Sequence, residues 1–295
     1  MPIDYAKLKN WSFENIEQTY TWKDSMLYAL GLGFGFDPLD DLQLRFVYER
    51  NLAAVPTMAV VLGYPGFWLK DPATGVDWVK VLHGEHSLNL HKPLPPAGTV
   101  VSKLRVSAIV DKGKDKGALL VQERTLYDKK TGDLLGTINQ LTFCRGDGGF
   151  SEVPGNGPKG GDPAPPAKPA VPAEAPDAVC DLPTLPQAAL IYRLSSDYNP
   201  LHAEPAVAKA AGFPRPILHG LCTYGVAGHA ILKTFCGYDP TLFSGLAVRF
   251  SAPVFPGETI RTEMWRRGDA VHFRSRVVER DMVVLNNGIA RLRKS

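Results

Sequence analysis

The chain repeats one pattern, and that repeat limits its fold more than any other feature. A shift of 160 residues lays Leu88-Asn89-Leu90-His91-Lys92-Pro93-Leu94-Pro95-Pro96-Ala97-Gly98-Thr99-Val100 over Val248-Arg249-Phe250-Ser251-Ala252-Pro253-Val254-Phe255-Pro256-Gly257-Glu258-Thr259-Ile260, so that apolar positions, two prolines and a threonine coincide. The same shift lays Pro56 over Pro216, each just ahead of an apolar stretch. Two copies of one structural unit are therefore expected. Between them the segment 146–178 is rich in Gly, Pro and Ala and nearly free of large apolar residues after Phe150, the composition of a connector. The expected organisation is a first repeat over 1–150, a linker over 151–178 and a second repeat over 179–295.

Each copy reads as an apolar helix followed by three or four extended runs. In the first copy these are Thr99 to Val110, Ala118 to Tyr127 and Leu134 to Cys144; in the second, Thr259 to Arg266, Val271 to Glu279 and Met282 to Leu292. One helix beside many strands implies an α+β class. The stretch from Leu221 to Phe235 lacks proline, is rich in small and apolar residues and is followed by Gly237, which suits a buried helix wrapped by a curved antiparallel sheet. Two such units in tandem make a double hot-dog. Gly31, Gly33 and Gly35 mark a loosened helix end and not a dinucleotide fingerprint, since no strand precedes them and the spacing is wrong.

The formal net charge of +3 is small and the basic residues are scattered, which argues against a nucleic-acid partner. Cys144, Cys180, Cys222 and Cys236 form neither a C-x-x-C pair nor a dense framework, so reduced thiols and no zinc site are expected. The first ten residues carry no long apolar core, the best helix is shorter than the roughly 20 residues a bilayer needs, and the last three are not a peroxisomal tripeptide. A cytoplasmic protein without a membrane segment is the expectation.

Chemistry concentrates in the second copy, at Asp197-Tyr198-Asn199-Pro200-Leu201-His202 and Pro216-Ile217-Leu218-His219-Gly220. Five positions apart on a regular helix, Asp197 and His202 would point roughly 140° away from each other. Pro200 prevents that helix, because it lacks an amide hydrogen and biases Asn199 out of the helical region. A turn there lets a carboxylate and an imidazole face one water as a proton-transfer pair. The plainer alternative is that Asp197 and Asn199 form Asx turns capping the next helix, with His202 on the surface. Gly220 opens the buried helix, whose first amides lack partners and carry the positive end of its dipole, so its N–H could receive an oxygen gaining negative charge. The alternative for Gly220 is tight packing alone.

These two segments, with Tyr192-Arg193-Leu194-Ser195-Ser196 ahead of them, resemble the R-specific (type 2) enoyl-CoA hydratases of the MaoC-like group. Val81-Leu82-His83-Gly84-Glu85 and Pro93-Leu94-Pro95 extend the resemblance to the first copy and to the two-hot-dog hydratase unit of peroxisomal multifunctional enzymes. The resemblance implies reversible hydration of a trans-2-enoyl-CoA to a (3R)-3-hydroxyacyl-CoA in fatty-acid metabolism such as β-oxidation, with no metal or cofactor, coenzyme A being part of the substrate. It implies that Asp197 and His202 hold the catalytic water, that Asn199 orients them, and that the Gly220 amide receives the thioester oxygen. It also implies that His83, Gly84, Lys112, Tyr198 and Phe250 contact substrate, that the first copy accommodates the acyl chain, and that such units can pair as a homodimer. Without it, His83 reads as a satisfied turn histidine, Lys112 as a solvated residue of a charged hairpin loop and Phe250 as core filling. His86 departs from the glutamine usual in relatives, which bears on acyl-chain preference. A hot-dog thioesterase and a non-catalytic acyl-CoA binding module are the competing readings.

Overall fold

The computed structural model describes residues 3–195 and 197–294. Ten strands, β1 (Ile16–Tyr20), β2 (Val81–Leu90), β3 (Gly98–Asp111), β4 (Ala118–Asp128), β5 (Leu134–Cys144), β6 (Ala178–Pro183), β7 (Phe243–Phe250), β8 (Thr259–Arg267), β9 (Ala270–Val277) and β10 (Met282–Leu292), form one sheet. The helices are α1 (Tyr5–Lys9), α2 (Trp22–Gly31), α3 (Asp41–Val47), α4 (Ala188–Tyr192), α5 (Pro205–Ala210) and α6 (Gly220–Phe235). Strand order is β1-β3-β4-β5-β2-β7-β10-β9-β8-β6, every pairing antiparallel. This is a double hot-dog.

The order is a palindrome in which β1 to β5 of the first half correspond to β6 to β10 of the second. The halves join where β2 pairs with β7, and Ser87 lies directly opposite Ala247, its own counterpart under the repeat. The pseudo-twofold axis therefore passes through that pair, which makes the two repeats one continuous sheet.

α6 lies inside it, with every residue from Cys222 to Leu232 buried. Its small side chains permit this depth: a Cβ on Gly225 would come within 2.6 Å of Leu32 Cδ2, and one on Gly228 within 2.7 Å of Thr57 Cγ2. His229 is a satisfied core histidine, its Nδ1 donating to the Leu32 carbonyl at 3.1 Å and its ring stacked 3.7 Å from Phe34. Gly237 ends the segment in the left-handed region at φ 53°.

The first half departs from this plan after Pro56. The 3-10 helix Pro56–Val60 corresponds under the repeat to Pro216–Gly220, and where a counterpart of α6 would continue, the chain is turned by the Val60-Val61 run and by Gly63, which adopts φ 58°, ahead of Pro65. β-Branched residues, glycine and proline all disfavour helix continuation. The first half's strands thus enclose less helix than the second's. One core cluster nonetheless spans both halves, uniting Tyr28, Val55 and Leu88 with Tyr224, Ile231 and Leu246. Gly33 and Gly35 follow α2 at φ 81° and 78°, the loosened end expected from their spacing.

The connector packs on the sheet as a strap. Phe150 is fully buried in a second apolar cluster with Ile3 and Ile109, and Gly161 bridges to Val110. Further along, Lys168 pairs with Glu85, Asn287 donates to the Pro169 carbonyl, and Trp265 donates to the Glu174 carbonyl at 2.8 Å. All four cysteines are buried and unpaired. Among the described residues no helix is long and apolar enough to cross a membrane.

Candidate active site

Asp197 to Asn199 are irregular, and Pro200–His202 then form one 3-10 turn with Asn199 at its N-cap. The Asp197 Oδ1 accepts from the Asn199 amide at 3.0 Å, and the Asn199 Oδ1 accepts from the Leu201 amide at 3.1 Å. Both Asx turns are present, yet His202 is buried and not on the surface. The two readings of this segment are one structure: the caps fold the loop, and the loop turns Asp197 and His202 toward each other. Asn199 acts through the backbone, since its side-chain oxygen is committed to the turn.

A third side chain joins them. Donor-capable or acceptor-capable atoms of Asp197, His202 and His219 all lie within 4.8 Å of one another. The His219 ring stacks on His202 with centroids 3.7 Å apart, and its Nε2 donates to the Asp197 carbonyl at 3.0 Å. Its Nδ1 is buried with no hydrogen-bond partner among the described residues. His202 Nδ1 donates to the Ile217 carbonyl at 2.9 Å, which fixes the tautomer and leaves a lone pair on Nε2. Burial lowers the pKa of His202, against smaller opposing effects of the Ile217 bond and the Asp197 charge. Burial lowers His219 to about 4. Both rings are therefore neutral at pH 7. The cluster could ligate a divalent cation by proximity, since one nitrogen of each ring bonds a backbone carbonyl and the other is left free.

Gly220 is the first residue of α6, after His219 at its N-cap, and among the described residues its N–H has no acceptor. A Cβ at this position would lie 3.2 Å from the Phe250 ring, so glycine also serves packing. Phe250 in turn lies 4.6 Å from the His83 ring, and the Asp197 charge acts on His83. Gly84 sits at a β-bulge in β2, where a Cβ would come within 2.9 Å of Leu141 Cδ2; the bulge re-aims His83. His83, Gly84, Phe250 and Gly220 thus form one wall beside the Asp197 cluster.

Two of the expected contact residues are exposed. Tyr198 is exposed, with the Arg193 guanidinium stacked 5.0 Å over its ring. Lys112 is exposed in the β3–β4 hairpin loop, its amide bonded to the Gly117 carbonyl at 3.0 Å, and no ion pair or hydrogen bond links it to the cluster among the described residues. Ser196, inside the motif, lies outside the described residues.

Sequence reasoning passed over His219, although it stands in the Pro216–Gly220 segment, and it passed over Tyr64 and Arg124 entirely. Burial and then the Asp197 charge push the Tyr64 hydroxyl up to about 12. Tyr64 also lines a small cleft, about 10 Å³ and partly open to solvent, with His86, Arg124 and Leu221, the residue after Gly220. No local pattern marks a tyrosine or an arginine brought in from another element.

Residues 167–287 match the MaoC like domain, and residues 18–146 match the MFE-2 hydratase 2 N-terminal domain. A peroxisomal enoyl-CoA hydratase 2 of Arabidopsis thaliana is 41% identical, the match covering 90% of this chain and 88% of that protein. The chain belongs to the MaoC-like hydratase 2 family. Within it, a 3-hydroxyacyl-thioester dehydratase Y of Mycobacterium tuberculosis is 40% identical over 91% of each chain. The crystal structure of a MaoC-like dehydratase from Phytophthora capsici superposes with a TM-score of 0.84 at 35% identity, covering 98% of this chain and 99% of that one. As a member of the family, this chain joins the MaoC-like segment to the N-terminal hydratase segment across the β2–β7 pair.

Proposed function

We propose that this protein is a hydro-lyase that adds water reversibly across the C2–C3 double bond of a trans-2-enoyl-CoA, giving a (3R)-3-hydroxyacyl-CoA in fatty-acid metabolism. The observation that carries the reading is the convergence of the Asp197 carboxylate and the neutral His202 ring beside the open end of α6. Asp197 and His202 hold the attacking water. Its oxygen bonds to C3, one of its protons passes to the pair, C2 gains a proton, and the thioester oxygen bears enolate charge in between. The Gly220 N–H steadies that charge; such a donor is typically worth about 3 kcal/mol, and acid/base assistance about 10²- to 10⁴-fold. Division of the proton steps belongs to the pair as a unit. His83 and Phe250 wall the thioester, and the shortened helix of the first half leaves the cleft beside Tyr64 for the acyl chain.

This chemistry needs one water, two side chains and one amide, so the proposal includes no metal or redox cofactor. The names of the Arabidopsis and Mycobacterium relatives support the substrate class. A cytoplasmic location and a homodimer belong to the same proposal, to be checked by cell fractionation and sedimentation. The direct test follows crotonyl-CoA by loss of its enoyl absorbance, with free thiol and chiral product analysis alongside. The expected product is (3R)-3-hydroxybutyryl-CoA without thiol. Thiol release without a hydroxyacyl product would assign a thioesterase, and binding without turnover would assign a carrier.

A further inference from the structure

The inner face of the first half's sheet is polar where it should be most apolar. On β4 the buried positions Leu120, Gln122, Arg124 and Leu126 alternate toward the core, and the middle two are polar. Register aligns them with neighbours: His86 of β2 pairs with Gln140 of β5, which pairs with Gln122. In the second half, Leu246 stands at the repeat position of His86, and the apolar α6 fills the space. The polar row therefore faces the cleft left by the shortened helix, and His86, Gln122, Arg124 and Gln140 all line it.

Arg124 is the unusual member. Its side chain is more than nine-tenths buried, and no carboxylate forms a salt bridge with it among the described residues. Two of its five N–H groups cap the Val60 and Leu62 carbonyls at the end of the short 3-10 helix. Capping alone would not require a full charge, and an uncompensated buried cation is costly. Its neighbour Tyr64 is neutral at pH 7, and Arg124 itself, lowered to about 10 by burial, stays charged. His86 is also more than nine-tenths buried; its Nδ1 faces His83 Nε2 at 3.1 Å, and its Nε2 has no partner among the described residues. Gln122 spends its oxygen on Trp68 Nε1, leaving its amide donors, and Gln140 spends its amide on Thr142. A buried cation, an unpartnered ring nitrogen and a free amide face one space that Leu221, next to Gly220, also lines.

We propose that this cleft receives the far end of an acyl chain that carries a carboxylate, so that the preferred substrates are 2-enoyl-CoA thioesters of dicarboxylic acids. A carboxylate there would neutralise Arg124 and accept hydrogen bonds from Gln122 and from His86 when its Nε2 is protonated. The proposal rests on the hydratase reading for the direction in which the chain runs, from Gly220 past Leu221. Hydration itself is unchanged, since the carboxylate is remote from C2 and C3.

The test uses the full chain and two saturated thioesters that cannot react, adipyl-CoA and hexanoyl-CoA, measured by calorimetry. Adipyl-CoA should bind at least about tenfold more tightly, the preference shrinking as salt is raised and vanishing in Arg124→Gln. Because Arg124 also supports the short helix, Gln122→Leu, which removes an amide donor from the cleft, serves as a second variant and should also narrow the preference. The same ratio should appear in kcat/KM for trans-2-hexenedioyl-CoA against trans-2-hexenoyl-CoA. Equal or weaker binding of adipyl-CoA overturns the proposal, and if crotonyl-CoA is still hydrated the hydratase reading survives that result. Failure of crotonyl-CoA hydration instead strikes the hydratase reading, while the binding ratio still decides what the cleft prefers.

Discussion

At the scale of residues, the site rests on neutral imidazoles held by backbone carbonyls. Burial depresses His202 below the ordinary histidine pKa of about 6.5, and the ring works as a proton acceptor only while neutral. The acid limb of kcat/KM for hydration should therefore lie below pH 6.5; a limb at or above that value would contradict the assigned tautomer. Stability has the same sign. The buried His219 and His229 titrate near 4 in the folded state and near 6.5 unfolded, so the unfolded chain binds more protons between those values and stability is lost as pH falls through that window. His219 holds the Asp197 loop through its bond to the Asp197 carbonyl, which makes it a positioning residue. His219→Phe keeps the stack but removes the bond to the Asp197 carbonyl, and kcat should drop by about 10- to 100-fold with KM nearly unchanged. Rescue of the rate by a variant that restores an N–H donor there would support positioning; an unchanged kcat in His219→Phe would refute it. Asp197 and His202 were legible because proline and two Asx turns act within six consecutive residues. His219, Tyr64 and Arg124 were not, because their roles exist only after separate elements meet.

At the scale of elements, alternation made the strands readable almost to the residue: Leu134 to Cys144 and Met282 to Leu292 are β5 and β10 as expected. The unbroken small and apolar run likewise announced α6. The first half was harder, because an apolar stretch after Pro56 fits a buried helix until Gly63 and Pro65 are weighed against it. The close approaches at the α6 glycines also yield a graded prediction. Thr57 is fully buried, β-branched and bonded through Oγ1 to the Tyr28 hydroxyl at 3.1 Å, so it cannot swing away from a new Cβ on Gly228. Gly228→Ala should cost about 1–3 kcal/mol, seen as a lower urea midpoint with an unchanged slope. Gly225→Ala should cost less, because the atoms it meets are the mobile tips of Leu32. Equal losses at the two positions would show that backbone approach, and not the side chain opposite, sets the limit.

At the scale of the whole molecule, the repeat foretold a pseudo-dimer, and the β2–β7 pair with its axis at Ser87 and Ala247 is the form it takes. What the repeat did not reveal is how far the halves share one interior, since core clusters form between residues far apart in sequence. α6 contacts Leu32 and Thr57 of the first half, and the strap crosses from Lys168 to Glu85. Residues 179–295 expressed alone should therefore fail to give a cooperative unfolding transition, whereas the intact chain should unfold in one; two separate transitions in the intact chain would mean independent halves. The catalytic proposal needs this shared frame, because the acid/base pair stands on one half and His83 on the other. Its most direct test is crotonyl-CoA hydration by Asp197→Asn beside the wild type. Asparagine keeps the Asx turn, so the variant should fold normally and lose about 10²- to 10⁴-fold in kcat. A folded Asp197→Asn protein that hydrates crotonyl-CoA at the parental rate would contradict the account.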